Sequence, residues 1–446
     1  MKHLTPKFIA SSAAWLVLCL PAQAMDLLQV YQAAQKEDAT VLAARAAAEA
    51  ERERLPQAKA QMLPNISASV AQTHNQLRSV TPNFSGIEQT NHTAYPSSNR
   101  TLTLRQPLYR PQLLAQYRLA QAQIDDADAT LTGEEQNLAV RVSNAYFEAL
   151  HAHDQLALVR AQQVAYRAQL DAATKTFTAG SGTRTDIDEA QARMDMNQAQ
   201  EIEALQSVTY TLQQLQILAS QPIGQLATLN ISKLELRNPE PNSLSDWIAR
   251  AELANPQLAS LKARVEVAQQ ELKKASAGHR PTLDVVAQWS DSQSESVTNN
   301  SSSYTNKSLG LQLNMPLYAG GYVNSLQRQA LASLQRAEQT HEASRRDLGV
   351  RVYKEFRGIT ENIPKIKALE QALRSADQLV LSSRKSFEAG NRTVLDILNA
   401  EQQRVVVLRD LAKARYVYLI SRVRLLALVG RADLDAITAI NQALQP

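Results

Sequence analysis

The chain has 446 residues, 47 Lys and Arg against 43 Asp and Glu, and 44% hydrophobic but only 5% aromatic residues. The near-balanced charge gives no nucleic-acid signal. A mean hydropathy of −0.31, with no apolar run of the ~18 residues a spanning helix needs once the N-terminal leader is set aside, excludes a helical membrane protein. So few aromatic residues point to long helices rather than a large globular core.

Residues 1–24 read as a Sec signal peptide: Lys2 and Lys7 precede an apolar run from Phe8 to Leu20, and Ala22-Gln23-Ala24 is an A-x-A cleavage site. The only cysteine, Cys19, lies inside this leader, behind Leu18 where a lipoprotein signal wants a small residue. Processing then leaves no disulfide, no thiol chemistry and no lipid anchor. It also removes two lysines, so 45 basic residues face 43 acidic ones.

Beyond the leader, two short segments alternate in period two. Ile66, Ala68 and Val70 alternate with Ser67 and Ser69, and Leu102 and Leu104 with Thr101, Thr103 and Arg105. This is a strand pattern, and the Ser/Asn/Thr-rich stretch from Asn75 to Arg100 reads as the loop between them. Pro64 and Pro107 mark the junctions with helices, because proline lacks an N–H and clashes with a preceding helical turn. From Pro111 to Phe177 a 3.5-residue seam runs through Leu138, Val142, Ala145, Ala149, Ala152, Leu156 and Val159. That is a coiled-coil period, and at ~1.5 Å per residue such a helix reaches about 100 Å. Gly133 is a place for a bend. His151 and His153 are two apart and point to different helix faces, a poor metal pair.

The helix stops at FTAGSGTRTDIDEAQ, Phe177 to Gln191. Gly180 suits a left-handed C-terminal residue, with Gly182 beside it; Thr183 suits the cap of a returning helix, and Thr185 and Asp186 its first turn. The same turn recurs as FEAGNRTVLDILNAEQ, with Phe387, Gly390, Thr393 and Asp396 at a constant offset of 210 from Phe177, Gly180, Thr183 and Asp186. LAVRVSNAYFEAL at Leu138 and LGVRVYKEFRGI at Leu348 share the offset.

The chain after the leader is thus one unit written twice. Residues 25–219 hold the first copy, with a strand hairpin at about 64–107 and a helical turn at about 178–183. A Pro-rich linker spans 220–246, the second copy spans 247–430 with strands at about 281–316 and a turn at about 388–393, and 431–446 close the chain. In the second copy Leu283, Val285, Ala287 and Trp289, then Leu309, Leu311, Leu313 and Met315, alternate with polar residues between Pro281 and Pro316, around a loop from Asp291 to Lys307. Its long helix carries the seam Ile366, Leu369, Leu373, Ala376, Val380, Ser383 and Phe387, with Gly349, Gly358 and Pro364 as places for bends. Trp289, Tyr304 and Tyr318 are candidates for an interfacial aromatic belt.

Strands of ~10 residues cross a bilayer, yet four cannot close, and lipid does not tolerate an open edge. Several chains must therefore share one barrel. No Walker A, G-x-G-x-x-G, H-E-x-x-H or catalytic triad is present, so the chain is expected to be no enzyme and to hold no metal.

With GHRPTLDVVA, PLYAGGYVNS, AYFEAL, the two F-x-A-G turns and ARYVYLISRVRLLALVG in place, the whole chain after the leader resembles the TolC family of outer-membrane channel-tunnels. The resemblance implies a mainly helical homotrimer. Its twelve-stranded β-barrel takes four strands from each chain, and a periplasmic coiled-coil tunnel continues it, belted by 220–246 and the C-terminal segment. It implies an exit duct for type I protein secretion or multidrug efflux in a Gram-negative outer membrane. The duct works with a periplasmic adaptor and an inner-membrane transporter of ABC or RND type, and without a cofactor. Within that family Asp396 lines the periplasmic constriction. Asn399 stands where the type member has a second aspartate, leaving one acidic ring. Thr185 and Asp186 correspond to residues that tie the tips shut, through Arg392 and the position of Phe387. The type member has a tyrosine at that position, so its hydroxyl bond is lost here. The rival reading is a non-conducting periplasmic adaptor or scaffold, which also uses signal peptides and long helical hairpins.

Overall fold

The computed structural model describes residues 24–294 and 302–445; the expected signal peptide lies outside them, save for Ala24. Three helices open the chain: α1 (Leu27–Glu37), α2 (Ala39–Arg52) and α3 (Arg54–Ala60). A strand hairpin follows, β1 (Asn65–Pro82) and β2 (Glu88–Tyr109), then a helical hairpin, α4 (Pro111–Thr178) and α5 (Arg184–Ala219). The linker holds β3 (Thr228–Leu229). The second half repeats the order with α6 (Leu244–Ala254), α7 (Pro256–Ser276), β4 (Thr282–Ser294), β5 (Ser302–Asn314), α8 (Tyr322–Thr360), α9 (Asn362–Glu388) and α10 (Val394–Leu428). The chain closes on α11 (Leu434–Asn441) and β6 (Leu444–Gln445).

The strands form one antiparallel sheet in the order β1-β2-β4-β5. Its register aligns the apolar residues in rows. Ile66 faces Leu104, Leu104 faces Ala287 and Ala287 faces Leu309. The next row runs Ala68, Leu102, Trp289 and Lys307. The opposite face is polar, with Ser67, Thr103, Gln288 and Ser308 in one row. Val70, Leu309 and Leu311 are more than 70% exposed in the single chain, as a lipid-facing band requires. Trp289, Tyr304 and Tyr318 are also exposed. Among the described residues no helix is long and apolar enough to cross a membrane.

Two expectations are corrected here. The stretch from Asn75 to Arg100 is not a loop: β1 runs to Pro82, β2 begins at Glu88, and they pair without a break. Only the turn from Asn83 to Ile87 separates them, with Gly86 at φ 78° and Asn83 Oδ1 accepting from the N–H groups of Ser85 and Ile87, both at 3.0 Å. Likewise Asp291 to Ser294 and Ser302 to Lys307 are strand; the rest of that expected loop lies outside the described residues. Ser, Thr and Asn on both faces hide the period of two, while the backbone ladder continues regardless. Pro107, too, lies inside β2 rather than at its end. It sits at a register shift before Tyr109, where a bulge tolerates the missing N–H.

At the base of the sheet Asp284 takes Arg110 in a two-pronged bond and Arg105 at 3.1 Å, while Arg105 also donates to Gln312. Arg110 immediately precedes α4, so this cluster sets the angle at which helix leaves strand. Helix α4 then runs 68 residues without interruption, Gly133 included, about 100 Å at 1.5 Å per residue. Its partner in the second copy is broken at Glu361, between α8 and α9. Neither Gly349 nor Gly358 breaks it. The ring of Pro364 collides with the carbonyl four residues back, that of Thr360, where α8 ends.

The main core sits where the linker and C-terminal segment wrap the helices. Leu27, Tyr146, Phe147, Leu215, Ile359, Tyr418, Leu425 and Ile437 are fully buried there. The single O–H of Tyr146 faces two acceptors, the carbonyls of Met25 at 3.0 Å and Ala227 at 2.8 Å. Tyr418 Oη accepts from Arg237 N at 2.8 Å, and Trp247 Nε1 donates to Pro241 O at 2.8 Å. β3 pairs with β6, which joins the linker to the C-terminal segment.

Asp38 fastens α2 to α4. It caps α2 through Val41 N at 3.0 Å and takes both terminal nitrogens of Arg141 at 3.0 and 3.1 Å. Burial pushes its carboxyl up, but the Arg141 bonds, the Val41 N–H and the Arg141 charge outweigh it and hold it below the usual range. A carboxyl with a depressed folded value stabilises above its unfolded value, ~3.9, and loses that contribution as pH falls through the folded one. Asp38→Asn is therefore expected to cost about 2 kcal/mol at neutral pH. The melting gap to wild type should close below about pH 4. A gap that stays constant with pH would refute this.

Candidate functional site

Each helical hairpin ends in the same turn. Gly180 (φ 75°) and Gly390 (φ 76°) are left-handed, where a Cβ is strained. Ser181 N and Gly182 N both donate to Thr176 O at 3.0 Å, and Asn391 N donates to Ser386 O at 2.8 Å. A Cβ at Gly182 would lie 2.7 Å from Thr176 Oγ1 and 2.9 Å from Phe177 N, so the tight turn requires glycine there.

The returning helices start with reciprocal capping boxes. Thr183 N and Oγ1 donate to Asp186 Oδ2 at 3.1 and 2.7 Å, and Asp186 N donates to Thr183 Oγ1 at 3.2 Å. Thr393 and Asp396 repeat this at 2.9, 2.9 and 3.3 Å. In both boxes the carboxylate's two bonds fall on Oδ2. The Thr393 N–H, then its hydroxyl, then the charge of Arg392 hold the Asp396 carboxyl below the usual carboxylate range. Asp396 is therefore ionised at physiological pH.

Thr185 and Arg392 are exposed. Arg392 Nη1 donates to Ser383 Oγ at 3.0 Å, within its own hairpin. Within one chain Arg392 is therefore not joined to Thr185 or Asp186. Phe387 packs against a buried cluster of Tyr166, Val394 and Leu398, with Met194 beside it. Asn399 is exposed and accepts from Arg193 Nη2 of α5 at 3.1 Å, a bond between the two hairpins. Sequence reasoning missed Arg193 and Tyr166. They carry no motif and sit on helix faces whose partners are over 200 residues away.

Among the described residues no group of three His, Cys, Asp or Glu side chains is arranged to hold a metal ion. The tip offers fixed carboxylates, the cations Arg184 and Arg392 and packed glycine turns, which can set charge and contact.

The family model "Outer membrane efflux protein" matches residues 30–220 and 247–431, the two repeats. The chain is 35% identical over 95% of its length to the alkaline protease secretion protein AprF of Pseudomonas aeruginosa, covering 89% of that protein. It is 32% identical over 89% of its length to the proteases secretion protein PrtF of Dickeya chrysanthemi, covering 86% of that protein. Its fold superposes on the Campylobacter jejuni CmeC outer membrane channel with a TM-score of 0.79, at 15% identity, covering 94% of this chain and 90% of that one. Repeated strand and helical hairpins, an outward apolar band and both family matches give one conclusion: the chain belongs to the outer membrane efflux protein family, the TolC-type channel-tunnels of the Gram-negative outer membrane.

Proposed function

We propose that three copies of this chain assemble into an outer-membrane exit duct for proteins, closed at its periplasmic end by the helical tips. The sheet supports the assembly: β1 and β5 are its edges, and in lipid an edge must be paired. Three sheets of four strands close a barrel of ordinary size, and the helices continue it as a tube. The hairpin tips then form the mouth, with Asp396 as a ring of three carboxylates that favours cations. Asp186 Oδ1, which the capping box leaves unused, is a partner for Arg392 of a second copy.

The observation that carries protein secretion is that two relatives above 30% identity are both named for protease secretion. A duct of this kind is fed by an inner-membrane transporter, of ABC type for protein export, through a periplasmic adaptor. Deleting the gene tests the reading. The deletion strain should retain a secreted protease in the periplasm or cytoplasm, and a plasmid copy should restore its export. Normal protease export with raised sensitivity to dyes and detergents would instead favour small-molecule efflux. A product that washes off membranes in carbonate or urea would reverse the assignment in favour of a periplasmic scaffold.

A further inference from the structure

About two to three helical turns from the tip along α10, and about three to four along α4, a polar node that the tip residues do not include joins the two hairpins of one chain. Gln162 and Tyr166 on α4 meet Gln402 on α10. Gln162 Nε2 donates to Tyr166 Oη and to Gln402 Oε1, both at 2.6 Å. Tyr166 Oη donates to the same Gln402 Oε1 at 3.0 Å. One amide oxygen on the second hairpin thus accepts two donors from the first. Tyr166 is 3% and Gln162 5% exposed, while the acceptor Gln402 is half-buried. Toward the tips its tyrosine ring packs on Val394 and Leu398.

The surroundings make this a discrete joint. On the side away from the tips the node borders a cavity of about 300 Å³ between α10 and helices α4 and α5, lined by Gln162 and Gln402 themselves and by Leu158, Gln200, Val405 and Arg409. At that level α4 and α5 remain packed on each other through Ala152, Leu156, Ala204 and Val208. The gap therefore loosens contact between hairpins and not contact within the first hairpin. Below the gap, α10 meets the first hairpin again at the node, at the Phe387 cluster and at the Arg193–Asn399 bond. A mutually bonded set of polar groups with two of its three members buried favours two states, fully made or fully hydrated, because a half-made set leaves the buried groups without partners. The cavity gives water a route to the second state.

We infer that the Gln402 side chain is a latch that holds the second hairpin against the first in the closed mouth and is released, hydrated, when the mouth opens. The inference rests on the reading of the tips as a gated mouth. Its test is single-channel conductance of the full protein in planar bilayers, with trimer melting measured alongside. Gln402→Leu keeps the bulk and removes the acceptor, and should raise the open-to-closed ratio by about fivefold for each bond lost. Gln402→Glu, whose carboxylate still accepts from both donors, should conduct as wild type does. Tyr166→Phe deletes one hydroxyl and keeps the ring packing, so it should open the duct in the same direction, by less, even if Gln402→Leu fails to assemble. Arg392→Ser serves as the reference for the mouth. If it enlarges the steps while Gln402→Leu and Tyr166→Phe conduct as wild type does, the latch is wrong and the mouth stands. If the wild type passes no current, or Arg392→Ser changes nothing, the gated mouth is wrong and the latch falls with it.

Discussion

Asp396→Ala is expected to abolish the cation preference of the duct. The carboxylate is held below the usual range by the Thr393 N–H and hydroxyl, and then by the Arg392 charge, so the preference should be present at neutral pH and fade as pH falls through the carboxylate range, ~4. In the proposed trimer threefold symmetry would concentrate the charge: three carboxylates around one axis would raise the local cation concentration in a narrow, water-filled space. Because Asn399 supplies an amide bonded to Arg193, no second acidic ring on the same helix face compensates for the loss. The same substitution removes the partner of Thr393 N, so the first turn of α10 should fray. Asp396→Asn separates the two effects, since it keeps an acceptor for Thr393 and removes the charge. Reversal potentials in a salt gradient read the selectivity. If Asp396→Asn leaves the reversal potential unchanged, Asp396 does not line the constriction.

Arg392→Ser is expected to enlarge the conductance steps. Arg392 is exposed, yet its Nη1 is anchored on Ser383, which is fully buried. The anchor fixes the guanidinium at the tip, and in the proposed trimer its other nitrogens would be free to reach a neighbouring copy. Asp186 complements it, because the Thr183 bonds occupy Oδ2. A charge-assisted bond contributes about 1.5–3 kcal/mol, so losing one per chain shifts the open-to-closed ratio at least tenfold. Phe387 offers no hydroxyl to share the task and packs against Tyr166, Val394 and Leu398 instead. Asp186→Asn should reproduce the effect in part, and the double variant should add little to Arg392→Ser. Fully additive effects in that cycle would place the two residues in separate contacts.

The parts of the molecule legible in the sequence are those where one residue type has one physical use. Gly180 and Gly390 are readable because each closes a helix with a left-handed residue and the two stand at the shared offset of 210. The seam through Leu138, Val142 and Ala149 is readable because burial follows the helical period, and all three are buried. The outward row of Ile66, Leu104 and Leu309 is readable because the lipid-facing face has to be apolar. Above the membrane that demand ends. Thr90, Asn91, His92 and Thr93 sit in regular pairs with β1, yet a strand with polar residues on both faces has no period to read. The break at Glu361 falls away from Gly349 and Gly358 because the proline ring acts on the carbonyl four residues upstream.

Contacts between distant residues are the least visible. Arg193 with Asn399, and Gln162 with Gln402, join residues on different hairpins. Any glutamine on a polar helix face looks alike before its neighbour is known. The same holds for Tyr146 and Tyr418, whose hydroxyls pin the linker backbone into the core.

The proposed duct crosses the outer membrane and is narrowed by its own helical tips. The purified protein in a planar bilayer, under asymmetric salt, tests it most directly. A gated duct gives discrete, small, cation-selective steps that grow when Arg392 is replaced by serine. A folded trimer that inserts but shows no steps, or wide unselective steps that Arg392→Ser and Asp396→Ala leave unchanged, would contradict it.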